Sequence, residues 1–231
     1  MPPRAAPLRE ALEPLHDGRA RSLLAFQLAW SAAGGIAAAF YPLHMIGNLR
    51  MGFVRMAIYT AAVAAFRMLA GPIWGRVLDR GGARQVVVAS AFALCLSPLL
   101  WIFAAEGRLW PLGIDAAVCG AANAGLALAT FSLPLALSRP ATRSFYVGAV
   151  AAVGGLAAGI GSAVGGAIVK LLPDAWSLLG QPLVASQALF LVGAGARFCA
   201  AALALRIDGR TPAEVLQMPS RAGPARAKLS A

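Results

Sequence analysis

Six stretches of the chain are apolar without alternation, at roughly residues 22–46, 53–75, 85–105, 110–135, 145–170 and 183–206, with short polar connections between them. Each is close to the ~20 residues that a helix needs to cross a hydrocarbon core about 30 Å thick. Backbone in that core must satisfy its own hydrogen bonds, which leaves helices or closed barrels. Barrel strands alternate lipid-facing and lumen-facing positions, and these runs do not alternate. The pattern therefore predicts an all-α polytopic membrane protein, with a leader at 1–21, a six-helix transmembrane domain at 22–206 and a tail at 207–231. The tail is rich in Pro, Ala and Arg without periodicity and is expected to be disordered. The first run, about 25 residues, is longer than the roughly 7–15 of a signal-peptide core and reads as a retained helix. Tyr41-Pro42 is expected to bend or end the first helix and Pro134 to bend the fourth.

Composition agrees. Hydrophobic residues make up 59% of the chain, charged residues 13%, and mean hydropathy is +0.72. An ordinary soluble domain carries about 25% charged residues. A soluble, disordered, collagenous or disulfide-stapled protein is thereby excluded. Cys95, Cys119 and Cys199 sit singly inside apolar runs, and His16 and His44 are the two histidines, so no metal or other cofactor site is expected. There is no phosphate-cradling glycine loop of the kind an ATP-driven pump uses.

The net charge of +11 would suggest nucleic acid in a soluble protein, but here the basic residues sort by side of the membrane. Fourteen of the 20 Lys and Arg lie in the leader, the second-to-third connection, the fourth-to-fifth connection and the tail. Four, Arg50, Arg55, Arg108 and Lys170, lie in the alternate connections or at the run ends beside them, and Arg67 and Arg197 lie well inside runs. By the positive-inside rule both termini are expected in the cytoplasm, in a cell inner membrane. The expected partner is the lipid bilayer, not nucleic acid. Trp74, Trp101, Trp110 and Trp176 fall near the expected helix ends, where an aromatic belt sits.

Between the second and third runs stands Gly75-Arg76-Val77-Leu78-Asp79-Arg80-Gly81-Gly82-Ala83-Arg84. Glycines at 75 and 82 suit a tight connection, and a carboxylate at Asp79 is favoured wherever it faces a helix N-terminus. Gly75, Asp79, Arg80, Gly82 and Arg84 match the pattern G-x-x-x-D-R/K-x-G followed by two basic residues, with Ala83 in place of the first of those two. The segment resembles the signature of the major facilitator superfamily, found there in the cytoplasmic loop between the second and third helices of a six-helix half. The resemblance implies a gating loop that latches two halves together.

The fifth run is dense in glycine. At about 100° per residue, Gly148, Gly155, Gly159, Ser162 and Gly166 fall on one stripe, and Gly154, Ala158, Gly161 and Gly165 on a second. Small-residue stripes let helices approach closely. The first stripe is expected to supply the helix-packing glycines, in keeping with the glycine-rich fifth helix of the family.

The resemblance covers about residues 10–206, half of a twelve-helix transporter, and the leader Leu12-Glu13-Pro14-Leu15-His16-Asp17 resembles the link before a C-terminal half. It implies a secondary transporter moving a small solute, of unknown identity, by alternating access. Export is the expected direction, and a second six-helix half, from another copy or a separate chain, is a required partner. Arg67, Asp115 and Arg197 are the intramembrane polar residues expected to serve a pathway or coupling role. Gln27, Asn123 and Gln187 are expected to hydrogen-bond between helices. Ser162, in Gly159-Ile160-Gly161-Ser162, has no histidine in a later run to act as its base, so enzymatic function is not expected. The alternative to transport is a truncated, non-transporting assembly partner.

Overall fold

The computed structural model describes residues 13–171, 175–178 and 181–207. After a helical turn at 13–16 come α1 (Gly18–Ala38), α2 (Phe40–Gly47), α3 (Phe53–Gly81), α4 (Ala83–Phe103), α5 (Trp110–Leu137) and α6 (Arg143–Leu171). A hairpin of β1 (Ala175–Leu178) and β2 (Gln181–Val184) then leads into α7 (Ala185–Ala204). With α1 and α2 taken as one span, six helical segments are long and apolar enough to cross a membrane. The transmembrane bundle is all-α. The tail beyond Ile207 lies outside the described residues, and Ile207 itself is buried in the core.

The first span breaks at Ala39, between α1 and α2. Pro42 has no N–H to give the carbonyl four residues back and its ring crowds that carbonyl, which favours a break at this point. Pro72, Pro98 and Pro134 are instead held inside α3, α4 and α5.

Two expectations are corrected by the backbone. The segment Gly75–Arg84 is not an extended loop: α3 continues through Asp79 and Arg80 to Gly81, and α4 begins at Ala83. Only Gly82 separates them, at φ 80° and ψ 162°, a conformation that a side chain would strain. Charge at Arg76 marks where hydrocarbon ends, not where the helix does. The connection between the fifth and sixth spans, in turn, contains the antiparallel hairpin, in register from Ala175 opposite Val184 to Leu178 opposite Gln181.

Side-chain packing joins the helices at both ends. Leu23, Phe26, Val86, Val87, Leu94 and Leu126 form one core with Ala201 and Ala204, and Met45, Met51, Trp101, Leu112 and Phe190 form the other. Trp101 therefore does not belong to an interfacial belt; it is 2% exposed. Trp74 likewise turns inward, donating from Nε1 to the Ala121 carbonyl at 2.8 Å. Trp110 is 62% exposed, as a belt residue would be.

The glycine seam also differs from expectation. Gly148, Gly155, Gly159 and Gly166 face open space within this chain, so they are not what packs α6 on its neighbours. The second stripe does that. A methyl group at Gly161 or Gly165 would run into the carbonyls of Ala32 or Ile36 of α1, and one at Gly35 into the carbonyl of Ala158. Ser162 completes the seam by donating to the Gly35 carbonyl at 3.2 Å.

Contacts at the two ends tie distant segments together. At one end Tyr146 donates to Asp17 Oδ2 (3.0 Å), and Arg84 Nη2 donates to the carbonyl of Leu205, the α7 C-cap (2.7 Å). A cation is favoured there by the helix dipole. At the other end an exposed Arg50–Glu106 pair at 3.6 Å links two connections and contributes on the order of 0–1 kcal/mol.

Candidate functional site

A cavity of about 360 Å³ lies inside the bundle, bounded by side chains of α1, α2, α3, α4, α5 and α7. It exists because α1 and α5 hardly touch one another, each being engaged by other helices: α1 by α6 and α7, α5 by α3 and α4. Trp30, Tyr41, Tyr59 and Trp101 give it aromatic walls, and Thr60, Ser97, Asn123 and Arg197 supply polar groups. Its size and its mixture of apolar wall with a few polar groups suit a small-molecule site.

Arg197 enters from α7. Its guanidinium lies 5.7 Å from the centre of the Trp30 ring, a cation–π distance, and Nη1 makes a long 3.4 Å contact to the Leu94 carbonyl. No carboxylate pairs with it among the described residues. Asn123 donates to the Cys119 carbonyl (2.8 Å) and to Cys119 Sγ (3.2 Å) within α5, so its carbonyl oxygen stays available to the cavity. The Tyr41 ring stacks on Phe190 at 4.7 Å between centroids and meets the Trp101 edge, while its hydroxyl is buried without a hydrogen-bond partner.

Asp115 sits behind this wall. Five residues into α5 it was expected near the membrane edge, yet it is 0% exposed. Oδ2 accepts from the Tyr59 hydroxyl (2.5 Å) and from Trp101 Nε1 (2.8 Å), and Oδ1 has no partner. Three helices, α3, α4 and α5, thus meet on one carboxylate. Trp101 was expected in an interfacial belt and Tyr59 was not singled out in the sequence; nothing local marks either as a partner of Asp115.

Arg67 is placed apart from both. It is exposed on α3, 14 residues from the first and 14 from the last residue of that helix, and it lines an open groove of about 600 Å³ with Met68, Gly71, Ala124, Leu128 and Phe131. Among the motif residues, Asp79 and Arg80 are exposed and make no hydrogen bond or ion pair among the described residues. Gly75 is helical and Gly82 forms the turn, while Arg84 is engaged on α7 as described.

Of the other polar residues, Gln187 does bond between helices, donating to the Ile102 carbonyl at 3.1 Å, and Gln27 donates to Ser31 in its own helix. His44 forms a buried cluster that was not anticipated. His44 Nδ1 lies 2.8 Å from both Asn48 Nδ2 and Ser186 Oγ, Asn48 Nδ2 also donates to Ser186 Oγ (2.9 Å), and His44 Nε2 is buried without a partner. Groups of three or more His, Cys, Asp or Glu positioned for a metal ion are absent among the described residues.

The family model described as Major Facilitator Superfamily matches residues 22–229, which includes all six spans, the Asp79 motif and both walls of the cavity. No individual curated protein matches the chain closely. A six-span bundle matched over that length is an integral membrane protein of transporter type, and the chain belongs to the major facilitator superfamily.

Proposed function

We propose that the chain is one six-helix half of a secondary transporter, that the cavity beside Arg197 holds its small solute, and that a second six-helix half completes it. The observation that carries this reading is Arg67. With Arg76 at one edge of a hydrocarbon core about 30 Å thick, Arg67 lies about 14 Å in by a rise of 1.5 Å per residue, close to the middle, where its head group is farthest from water on either side. A guanidinium facing acyl chains at that depth costs about 2.5–3.5 kcal/mol even on the most lenient scale. A protein partner or the aqueous pathway between two halves removes that cost. The open glycines of α6 offer a further unfilled surface, and Asp79 and Arg80 at the end of α3 are uncommitted, as groups that latch onto an opposing half would be. Asp115, buried with one oxygen free, is the acid available for coupling to a proton.

Mass measurement in mild detergent is expected to find a dimer or a complex with another six-span chain, and proteoliposomes holding that assembly are expected to move solute down an imposed gradient. A monomer that stays monomeric in the bilayer and carries no flux would overturn the reading in favour of a non-transporting subunit. Export is the direction we propose, and the sidedness of flux in the same vesicles tests it.

Both termini and the Gly82 turn are proposed to be cytoplasmic, on the strength of the basic asymmetry between alternate connections. Single cysteines placed at Arg50 and Arg108 should react with an impermeant thiol reagent in intact cells, and one at Arg80 should not. Labelling at Arg80 with protection at Arg108 would invert the topology.

A further inference from the structure

We infer that the solute of this cavity is a small organic anion with an aromatic or similarly apolar body, its anionic group bound by Arg197. The inference rests on the reading of the cavity as the solute site and goes further in naming the class of solute. Its first support is charge. Arg197 is the one charged side chain lining the cavity among the described residues, and it has no carboxylate partner there. A charged side chain inside a membrane bundle ordinarily pairs with an opposite charge or marks a pathway. Asp115 does not fill that role: it is fully buried behind Tyr59 and Trp101, and both of those donors are spent on its Oδ2.

The second support is unused hydrogen-bonding capacity. A guanidinium carries five N–H donors in a planar fork matched to a carboxylate. Here one of them makes a single 3.4 Å contact to a carbonyl. The guanidinium carbon lies over the Trp30 ring, 5.7 Å from its centre, a contact that steadies the group at the cavity wall without consuming its N–H donors.

The third support is shape. Trp30, Tyr41, Tyr59 and Trp101 line the remainder, and about 360 Å³ is ample for a single ring bearing a carboxylate. A compact, strongly hydrated inorganic anion would gain nothing from those walls. An organic cation would meet the guanidinium with like charge and find no accessible acid.

The test uses three isosteric probes, benzoate, benzamide and benzamidine, radiolabelled and offered by equilibrium dialysis to the purified full chain in nanodiscs, with empty nanodiscs subtracted. Benzoate is expected to bind saturably and at least tenfold more tightly than either of the others. Arg197→Gln is expected to bring benzoate down to the level of benzamide, while Arg197→Lys, which keeps a charge at the site, retains a preference for the anion. Circular dichroism of each variant verifies that the bundle is intact, and the lysine variant carries the test if the glutamine variant is not.

Equal binding of benzoate and benzamide, or an undiminished preference in Arg197→Gln, would overturn the anion assignment while leaving the cavity as a solute site. Absence of saturable binding by all three probes would overturn it as well. Flux through the assembled protein is judged separately, so failure here is distinguishable from failure of the transporter reading.

Discussion

Gly161→Leu destabilises the bundle by about 3 kcal/mol or more, at or beyond the upper end of what overpacking usually costs. The position leaves no room for relaxation, because the atoms that a side chain would strike are the Ala32 carbonyl and its neighbours, backbone of α1 and not the movable tip of a side chain. Helix α1 would have to move away from α6, losing the Ser162-to-Gly35 hydrogen bond and the complementary approach of Gly35 to Ala158. Gly159→Leu, two residues away on the open stripe, should leave the folded yield and melting temperature of the isolated chain nearly unchanged. Thermal unfolding in detergent followed by circular dichroism checks the pair. Equal melting temperatures for the two variants would mean that the α1–α6 seam is not formed as described.

Asp115→Ala is the second large effect. Removing the carboxylate strands the Tyr59 hydroxyl and the Trp101 indole N–H, and each buried donor left without an acceptor costs about 1–3 kcal/mol. Asp115→Asn keeps an amide oxygen in place of Oδ2 and should fall well short of the alanine variant, and Tyr59→Phe, which removes one donor and leaves Trp101 served, should be the mildest. The expected order of melting temperatures is wild type, Tyr59→Phe, Asp115→Asn, Asp115→Ala. An alanine variant as stable as wild type would show that water or lipid head groups reach the site and that the three-helix junction carries no weight.

The spans themselves were legible because an apolar run of sufficient length has few alternatives in a membrane. Their ends were not, and the reason is visible at Arg76, Asp79 and Arg80: charge signals emergence into water, while the helix continues on its own hydrogen bonds to the first residue that breaks it, Gly82. The glycine stripes show a different limit. Periodicity finds both stripes of α6 equally well, but which of them meets a neighbour depends on where α1 lies, and that is a fact about another helix. Asp115 is the sharpest case. Depth along α5 could be counted from the sequence, whereas its burial depends on Tyr59 and Trp101, 56 residues before it and 14 before it in the chain. Arg197, by contrast, was noticed as a charge out of place, and the structure puts it against the cavity for the same reason that it stood out.

Because a single glycine joins α3 to α4, the two dihedrals of Gly82 act as the pivot of a long lever. Helix α3 is 29 residues, about 44 Å, so a change of about 10° at that one point would carry its far end through about 8 Å. That far end carries Met56, Tyr59 and Thr60, which line the cavity, whereas the pivot end carries the charged motif. A bulkier residue at 82 would stiffen the pivot as well as strain it. Any rotation at Gly82 would therefore be felt least at Asp79 and Arg80 and most at Tyr59, where it would have to carry α5 along or break the hydrogen bond to Asp115.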